Sequence, residues 1–544
     1  MRRLILLLLL VTAVPLPGSS AAGYTKTEAM VPMSDGVRLD ASVYVPTTRA
    51  PRGGFPLVVR HHGGGSNKDS EYDVKYGLAF VRTGNYALLM YSHRGHGNSE
   101  GVFDFFGART TRDFSEMLDW IAANFRGAIN SNRVAVNGYS QGGGESLMPA
   151  ERDPRVKVAA VGNTFANLNR ALNPNDCAKF AFDIAIFAAA YKVALAKTDD
   201  PTAVRWGTAM FTDTEDIPIG PFPAASAEMD AHSPTGGVAQ LIRRRVPVFW
   251  SQSWEDQLFP GDHPEVILKP LERAGIPVHY WFSSGGHAAG PNFPADEVGK
   301  EAAMRAWIDE FLRGADHGYR SRRTPKVTYW ERTAPGLPGS WVRRTAAAWP
   351  LPKTRLLPMY VGPGDTLTTR PVGGDATLGM VINDFVSANV AHDAVAANEI
   401  SGRLPAPQIG DLVRSIPDSP NPLDAITYTS GPLSASHRMV GAPVVDAIVR
   451  TTALRFVQLN AKLWDVAPDG SAMLLNRACL SVQDPAGDVR MRFPLWPYAH
   501  TFPAGHRVAL TLSSVDMPTF KNELEPAMSE ILAGSRVFLP LQTR

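Results

Sequence analysis

Cysteine is nearly absent from this 544-residue sequence, which holds only Cys177 and Cys479. Neither stands just after the N-terminal apolar run, where a lipid would be attached. A bridge between residues so far apart does not follow from a count of two, and the expectation is a pair of free thiols. Net charge is also missing, since 54 basic residues against 52 acidic ones leave +2. No strong field then favours nucleic acid or an anionic membrane, which points to a small or neutral substrate. Internal repeats and low-complexity tracts are absent, so solenoid and disordered classes drop out.

Charge-free apolar runs of the roughly 20 residues needed to cross a bilayer are lacking too. Residues 4–10 are apolar, but Pro15 and Pro17 break the pattern. With Arg2 and Arg3 before it and small residues at 18–22, the stretch reads as a secretory signal peptide cut after Ala22. The expected location is secreted, periplasmic or extracellular; an N-terminal membrane anchor is the alternative. A second apolar stretch, 178–197, contains Asp183 and Lys192 and reads as a buried helix.

What is present is the composition of a soluble globular protein of two or three domains, 44% hydrophobic and 19% charged. Residues 37–46, 56–60, 86–91, 133–137, 156–161, 246–250 and 278–282 read as strands, several of them Val-rich runs suited to burial on both faces of a parallel sheet. Between them, Phe114, Met117, Leu118, Ile121 and Phe125 share one helical face. Met304, Trp307, Ile308 and Phe311 repeat the pattern before Gly314, a helix stop. This alternation predicts a doubly wound α/β sheet. The stretch between 161 and 246, roughly eighty residues, is too long for a bare loop and predicts an inserted helical cap. From about 326 onward, period-two alternation at 457–463 and 508–512, with turns such as 468–470, predicts an all-β sandwich.

Gly138-Tyr139-Ser140-Gln141-Gly142 fits G-x-S-x-G, directly after the strand 133–137 and before a helix start. A sharp strand-to-helix turn needs small neighbours around the serine, and it lifts Ser140 above the sheet as a nucleophile. A serine needs a base and an orienting acid, here expected in the order Ser, Asp, His. Asp256 lies in the loop after the strand 246–250, and His287 in the Gly-rich loop after 278–282. Glu255 is the alternative acid. The N–H groups of Gln141 and of Gly64 or Gly63, in Arg60-His61-His62-Gly63-Gly64-Gly65-Ser66, are the expected oxyanion donors. Metal binding by His61, His62, His93 and His96 is a competing reading, but no Cys or carboxylate stands at ligand spacing. The glycines suit backbone positioning, so no metal or cofactor is expected. The turn 91–101 reads as a structural loop beside the site.

Together these residues resemble the family of cocaine esterase, X-prolyl dipeptidyl aminopeptidase and α-amino-acid ester hydrolase. The resemblance extends to residues 33–40, the loop from Arg94-Gly95 to Ser99-Glu100-Gly101, and the C-terminal stretches 341–343, 349–350, 428–433 and 465–470. It implies an α/β-hydrolase core over 23–325 with a cap at about 164–245. It also implies a C-terminal jelly-roll (galactose-binding-like) domain over 326–544. Ser140, Asp256 and His287 fall on the family's triad. Members with a side-chain oxyanion donor carry a Tyr soon after the third strand; the glycine run here leaves donation to backbone N–H groups.

The expected function is a secreted serine hydrolase acting on an ester, amide or short peptide, either an acyl esterase or a Xaa-Pro dipeptidyl-peptidase. Asp213, Glu215 and Asp216 could hold a peptide's α-ammonium, although an acidic surface loop is the preferred reading of them. A catalytically silent binding protein on the same scaffold is the alternative.

Overall fold

The computed structural model describes residues 23–179, 206, 222–287, 293–334, 340–383, 409–417, 421–517, 519–523 and 525–543. The expected leader, the helix expected over 178–197 (all but its first two residues) and Asp213, Glu215 and Asp216 lie outside them. Among the described residues no helix is long and apolar enough to cross a membrane.

Nine strands build the first sheet: β1 (Tyr24–Pro32), β2 (Arg38–Pro46), β3 (Phe55–His61), β4 (Ala87–Tyr91), β5 (Ile129–Tyr139), β6 (Val156–Gly162), β7 (Val248–Ser253), β8 (Val278–Ser283) and β9 (Val327–Arg332). Their spatial order is β1-β2-β4-β3-β5-β6-β7-β8-β9, antiparallel across the first three and parallel from β4 onward. The Val-rich runs are the central strands; β3, β4, β7 and β8 are buried along their whole length. β1 has no counterpart in the sequence reading, because this half-exposed edge strand carries Thr25, Lys26 and Glu28 in place of an apolar run.

Successive residues enter opposite cores, as the pleat requires. Leu57 and Val59 lie in the core that also holds Phe114, Met117, Leu118 and Ile121 of α2 (Ala108–Asn124), while Val58 lies in the opposite core with Phe80 of α1 (Glu71–Val81), Met304 and Trp307. Both faces of the sheet are therefore covered by helices, the doubly wound arrangement expected.

The second core also encloses His279, fully buried on β8. Its ring stacks on Phe249 at 4.7 Å between centroids and meets Tyr319 edge-on at 5.3 Å. Among the described residues, neither ring nitrogen has a hydrogen-bond partner. Burial, helped by the nearby Arg343 charge, pulls its pKa from the ordinary 6.5 down to about 3. The fold holds a neutral imidazole, whereas the unfolded chain takes a proton below pH 6.5. The contribution of His279 is therefore complete above that pH and declines toward pH 3. His279→Met, close in volume and suited to aromatic neighbours, removes two unsatisfied nitrogens and should stabilise the protein by about 1 kcal/mol or more at pH 7. Its advantage should widen by up to about 1.4 kcal/mol per pH unit below 6.5. Urea unfolding at pH 7 and pH 5 checks this; an advantage equal at both would refute the titration argument.

The chain after β9 folds as mainly antiparallel β structure, with a short parallel pairing between Thr366–Thr368 and Ala425–Ser430. One ladder pairs Ala425–Ser430, Arg507–Ser513, Phe456–Val466 and Ala472–Gln483; another pairs Asp488–Pro494, Val444–Thr451, Arg536–Gln542 and Thr354–Gly362. β9 links the two halves, pairing in parallel with β8 and antiparallel with Trp341–Ala346.

Cys177 and Cys479, expected as free thiols, are bonded to each other, which corrects that expectation. The bridge spans 302 residues and ties the start of the cap to the strand Ala472–Gln483. Spacing carries no hint of it, because the tertiary fold alone brings the two Cα atoms to 6.3 Å. Asn175 Nδ2 donates to Cys479 O at 3.0 Å and Lys521 N to Ala178 O at 2.8 Å, so the same segment is stitched to the β domain on both sides.

Candidate active site

Ser140 occupies the turn between β5 and α3 (Gln141–Arg152) with φ 56° and ψ −127°. A non-glycine residue is strained there by about 1–3 kcal/mol, and the surroundings hold it in place. Its N–H donates to Gly162 O at 3.0 Å, and its carbonyl accepts from Thr164 Oγ1 at 2.8 Å and Gly143 N at 2.9 Å. The flanking glycines answer close approach: a Cβ on Gly138 would stand 2.3 Å from Gly142 O, and one on Gly142 would stand 2.5 Å from His61 O.

The hydroxyl of Ser140 lies 2.8 Å from His287 Nε2, and His287 Nδ1 lies 2.8 Å from Asp256 Oδ2. Residues 147 and 31 positions apart thus form one hydrogen-bonded line. Asp256 is buried, and among the described residues its carboxylate accepts three further bonds. Gln252 Nε2 donates to Oδ2 at 3.1 Å, while Leu258 N and Phe259 N donate to Oδ1 at 3.0 and 2.8 Å. The loop that carries His287 is tied to the acid loop by Glu255 N donating to Gly285 O at 2.9 Å. Phe259 stands edge-on to the His287 ring at 5.2 Å.

Glu255, the alternative acid, points elsewhere. Its Oε1 accepts from Arg332 Nη1 at 2.8 Å and Tyr498 Oη at 2.7 Å, joining the acid loop to β9 and the β domain. Two supports of this loop have no signal in the sequence. Gln252 sits inside β7, and the buried Lys179 donates to Gln257 O at 2.8 Å and Leu258 O at 3.0 Å while lying over the Trp496 ring. A lysine in the cap and a tryptophan more than 300 residues later meet only in the folded chain.

Gln141 opens α3, so its N–H has no acceptor within the helix. The glycine loop lies against it. A Cβ on Gly64 would fall 3.2 Å from Gln141 Oε1, and one on Gly63 would fall 3.9 Å from Ser140 Cβ. The four histidines gather behind this loop, and several of their nitrogens are engaged with one another or with the backbone, while His61 Nε2 is buried with no hydrogen-bond partner among the described residues. His61 Nδ1 lies 3.3 Å from His93 Nε2, and His96 Nδ1 lies 3.1 Å from Arg94 O. Burial pulls His61 down to about 3 and holds His62 and His93 well below the ordinary histidine range.

An aromatic cluster borders the site. From Phe259 it passes to Phe165 (5.4 Å), Phe106 (4.8 Å) and Phe103 (5.4 Å). Phe165 and Phe106 also press on α3 where Gly144 lacks a side chain: a Cβ there would meet their rings at 2.7 and 2.9 Å.

Sheet order, strand-to-helix elbow and the two loops that close on it define an α/β-hydrolase fold with a C-terminal β domain. The X-Pro dipeptidyl-peptidase (S15 family) model matches residues 35–289, and the model for the X-Pro dipeptidyl-peptidase C-terminal non-catalytic domain matches 320–536. The chain belongs to this family of hydrolases. It is 24% identical to the cocaine esterase of Rhodococcus sp. (strain MB1 Bresler), with 91% of each chain covered. It is also 34% identical over 149 residues to the quorum-quenching protein AidA of Acinetobacter baumannii (strain MDR-ZJ06), covering 26% of this chain and less than half, 46%, of that protein. Among solved structures, an aminopeptidase from a marine sediment Thaumarchaeota archaeon superposes with a TM-score of 0.73 at 17% identity, covering 97% of this chain and 98% of that one. An α-amino acid ester hydrolase does so with 0.71 at 17% identity, covering 98% and 99%. These two likenesses bear on the fold.

Proposed function

We propose that the protein is a serine hydrolase that cleaves a carboxylic ester bearing an apolar acyl group, through an acyl-enzyme on Ser140. The observation that carries the reading is the line Ser140–His287–Asp256, with both links at 2.8 Å. His287 Nε2 accepts the serine proton as Oγ attacks the carbonyl carbon, and the C=O electron pair moves onto oxygen. The N–H groups of Gln141 and Gly64 take up that charge. The imidazolium returns the proton to the leaving alkoxide, and water, activated by the same nitrogen, then releases the acid. The aromatic border at Phe259 and Phe165 supports an apolar acyl group, since such a wall gains by excluding water from a hydrocarbon or ring.

Amide cleavage after an Xaa-Pro unit is the second reading, supported by the description of the family model that matches 35–289. Export of the chain is part of the proposal. The leader pattern supports it, as does a disulfide, which persists in oxidising compartments. Exported protein, expected to begin at Gly23, should be labelled at Ser140 by a fluorophosphonate probe. It should also hydrolyse p-nitrophenyl esters of aromatic or medium-chain acids faster than Xaa-Pro anilides. Faster anilide cleavage would select the peptidase, and a chain inert to the probe would be a binding protein on this scaffold.

A further inference from the structure

His62 takes no part in the proton path from Ser140, yet it is 1% exposed and directly precedes the glycine loop. Its Nε2 accepts from the backbone N–H of His93 at 3.0 Å. That nitrogen must therefore carry the lone pair, which leaves the proton on Nδ1. Nδ1–H in turn donates to Gly63 O at 2.8 Å, and the same carbonyl accepts from Ser66 N at 3.3 Å. The rings of His93 and His96 pack against the imidazole at 4.5 and 5.1 Å between centroids, so it cannot swing away.

The consequence follows from peptide geometry. The Gly63–Gly64 bond is planar and trans, so its C=O and N–H point in opposite directions. Holding Gly63 O against His62 turns the N–H of Gly64 away from the histidine cluster. Gly63 and Gly64 themselves lie beside Ser140 and Gln141. Three consecutive glycines would otherwise leave this peptide free to rotate, and an oxyanion donor is effective only if it is aimed before charge develops.

We propose that His62 is a positioning residue that presets the oxyanion hole by clamping the Gly63 carbonyl, so that the Gly64 N–H faces the reacting carbonyl oxygen. This rests on the hydrolase reading above. The imidazole touches neither substrate nor Ser140; its effect passes through one peptide bond.

The test compares His62→Phe, His62→Leu and His62→Asn with the unaltered chain on a p-nitrophenyl ester. It also measures inhibition by a trifluoromethyl ketone, whose adduct with Ser140 carries the oxyanion. Loss of an oxyanion donor costs about 10²–10³ in kcat, and misaiming one should cost roughly ten- to a hundredfold. The Phe and Leu variants should therefore lose that much kcat with KM within about threefold, and should bind the ketone more weakly by a similar factor. Asn, whose Nδ2 can stand where the imidazole Nδ1 stood, should recover most of both. If the Phe variant fails to fold, the near-isosteric Leu and Asn pair decides the matter. Equal kcat in Leu and Asn variants, or lost kcat with full ketone affinity, would overturn the proposal. An unaltered chain that ignores fluorophosphonate would instead overturn the hydrolase reading itself.

Discussion

Replacing Ser140 by Ala is expected to lower kcat on the best ester by a factor on the order of 10⁶ while leaving the fold intact. The elbow is held by the backbone of Ser140, through Gly162 O, Thr164 Oγ1 and Gly143 N, and none of these bonds uses the hydroxyl. Alanine also bears the same backbone strain at φ 56°. On the proposed mechanism, removing the oxygen deletes the nucleophile and leaves His287 Nε2 without a proton to accept. The residual rate should still exceed that in water by about 10³–10⁴, because the proposed oxyanion donors remain. The measurement is kcat together with thermal unfolding. Retained turnover would remove Ser140 from the reaction, and a lowered Tm would mean that the hydroxyl also supports the fold.

Asp256→Asn is expected to cost about 10⁴ in kcat at nearly unchanged size and shape. Among the described residues the carboxylate accepts from four donors: His287 Nδ1 and Gln252 Nε2 on one oxygen, Leu258 N and Phe259 N on the other. An amide offers a single acceptor oxygen. If that oxygen serves the two backbone N–H groups, the NH₂ faces His287 Nδ1 and forces the imidazole proton onto Nε2. His287 then cannot take the serine proton. Glu255→Gln is the control, since Glu255 serves Arg332 and Tyr498 and should change kcat by no more than a few fold. A larger loss at Glu255 than at Asp256 would exchange their roles.

The arrangement also bears on why the β domain accompanies this hydrolase. The acid loop is braced from three sides: Lys179 from the cap, Arg332 from β9 and Tyr498 from the β domain. The Cys177–Cys479 bridge anchors the segment just before Lys179. Asp256 needs such bracing because a shift of a few tenths of an ångström would break its alignment with His287.

Much of this protein was determined locally and could be read from sequence. Val-rich runs became the buried parallel strands because only strands covered on both faces can hide so many apolar side chains. The helix phases were equally plain, since Phe114, Met117, Leu118 and Ile121 must share a face. The elbow was legible because Gly138 and Gly142 are fixed by contacts a few residues away or across one neighbouring strand. What only the tertiary structure decided involves groups brought together across long stretches of chain. These are the Cys177–Cys479 bridge, the outward turn of Glu255, the grip of Lys179 and Gln252 on the acid loop, and the clamp of His62 on Gly63. Periodicity reports which side of an element is apolar, and motifs report which residue types lie near in sequence. Neither encodes distance between residues joined only by folding, and orientation at a site is set by those distances.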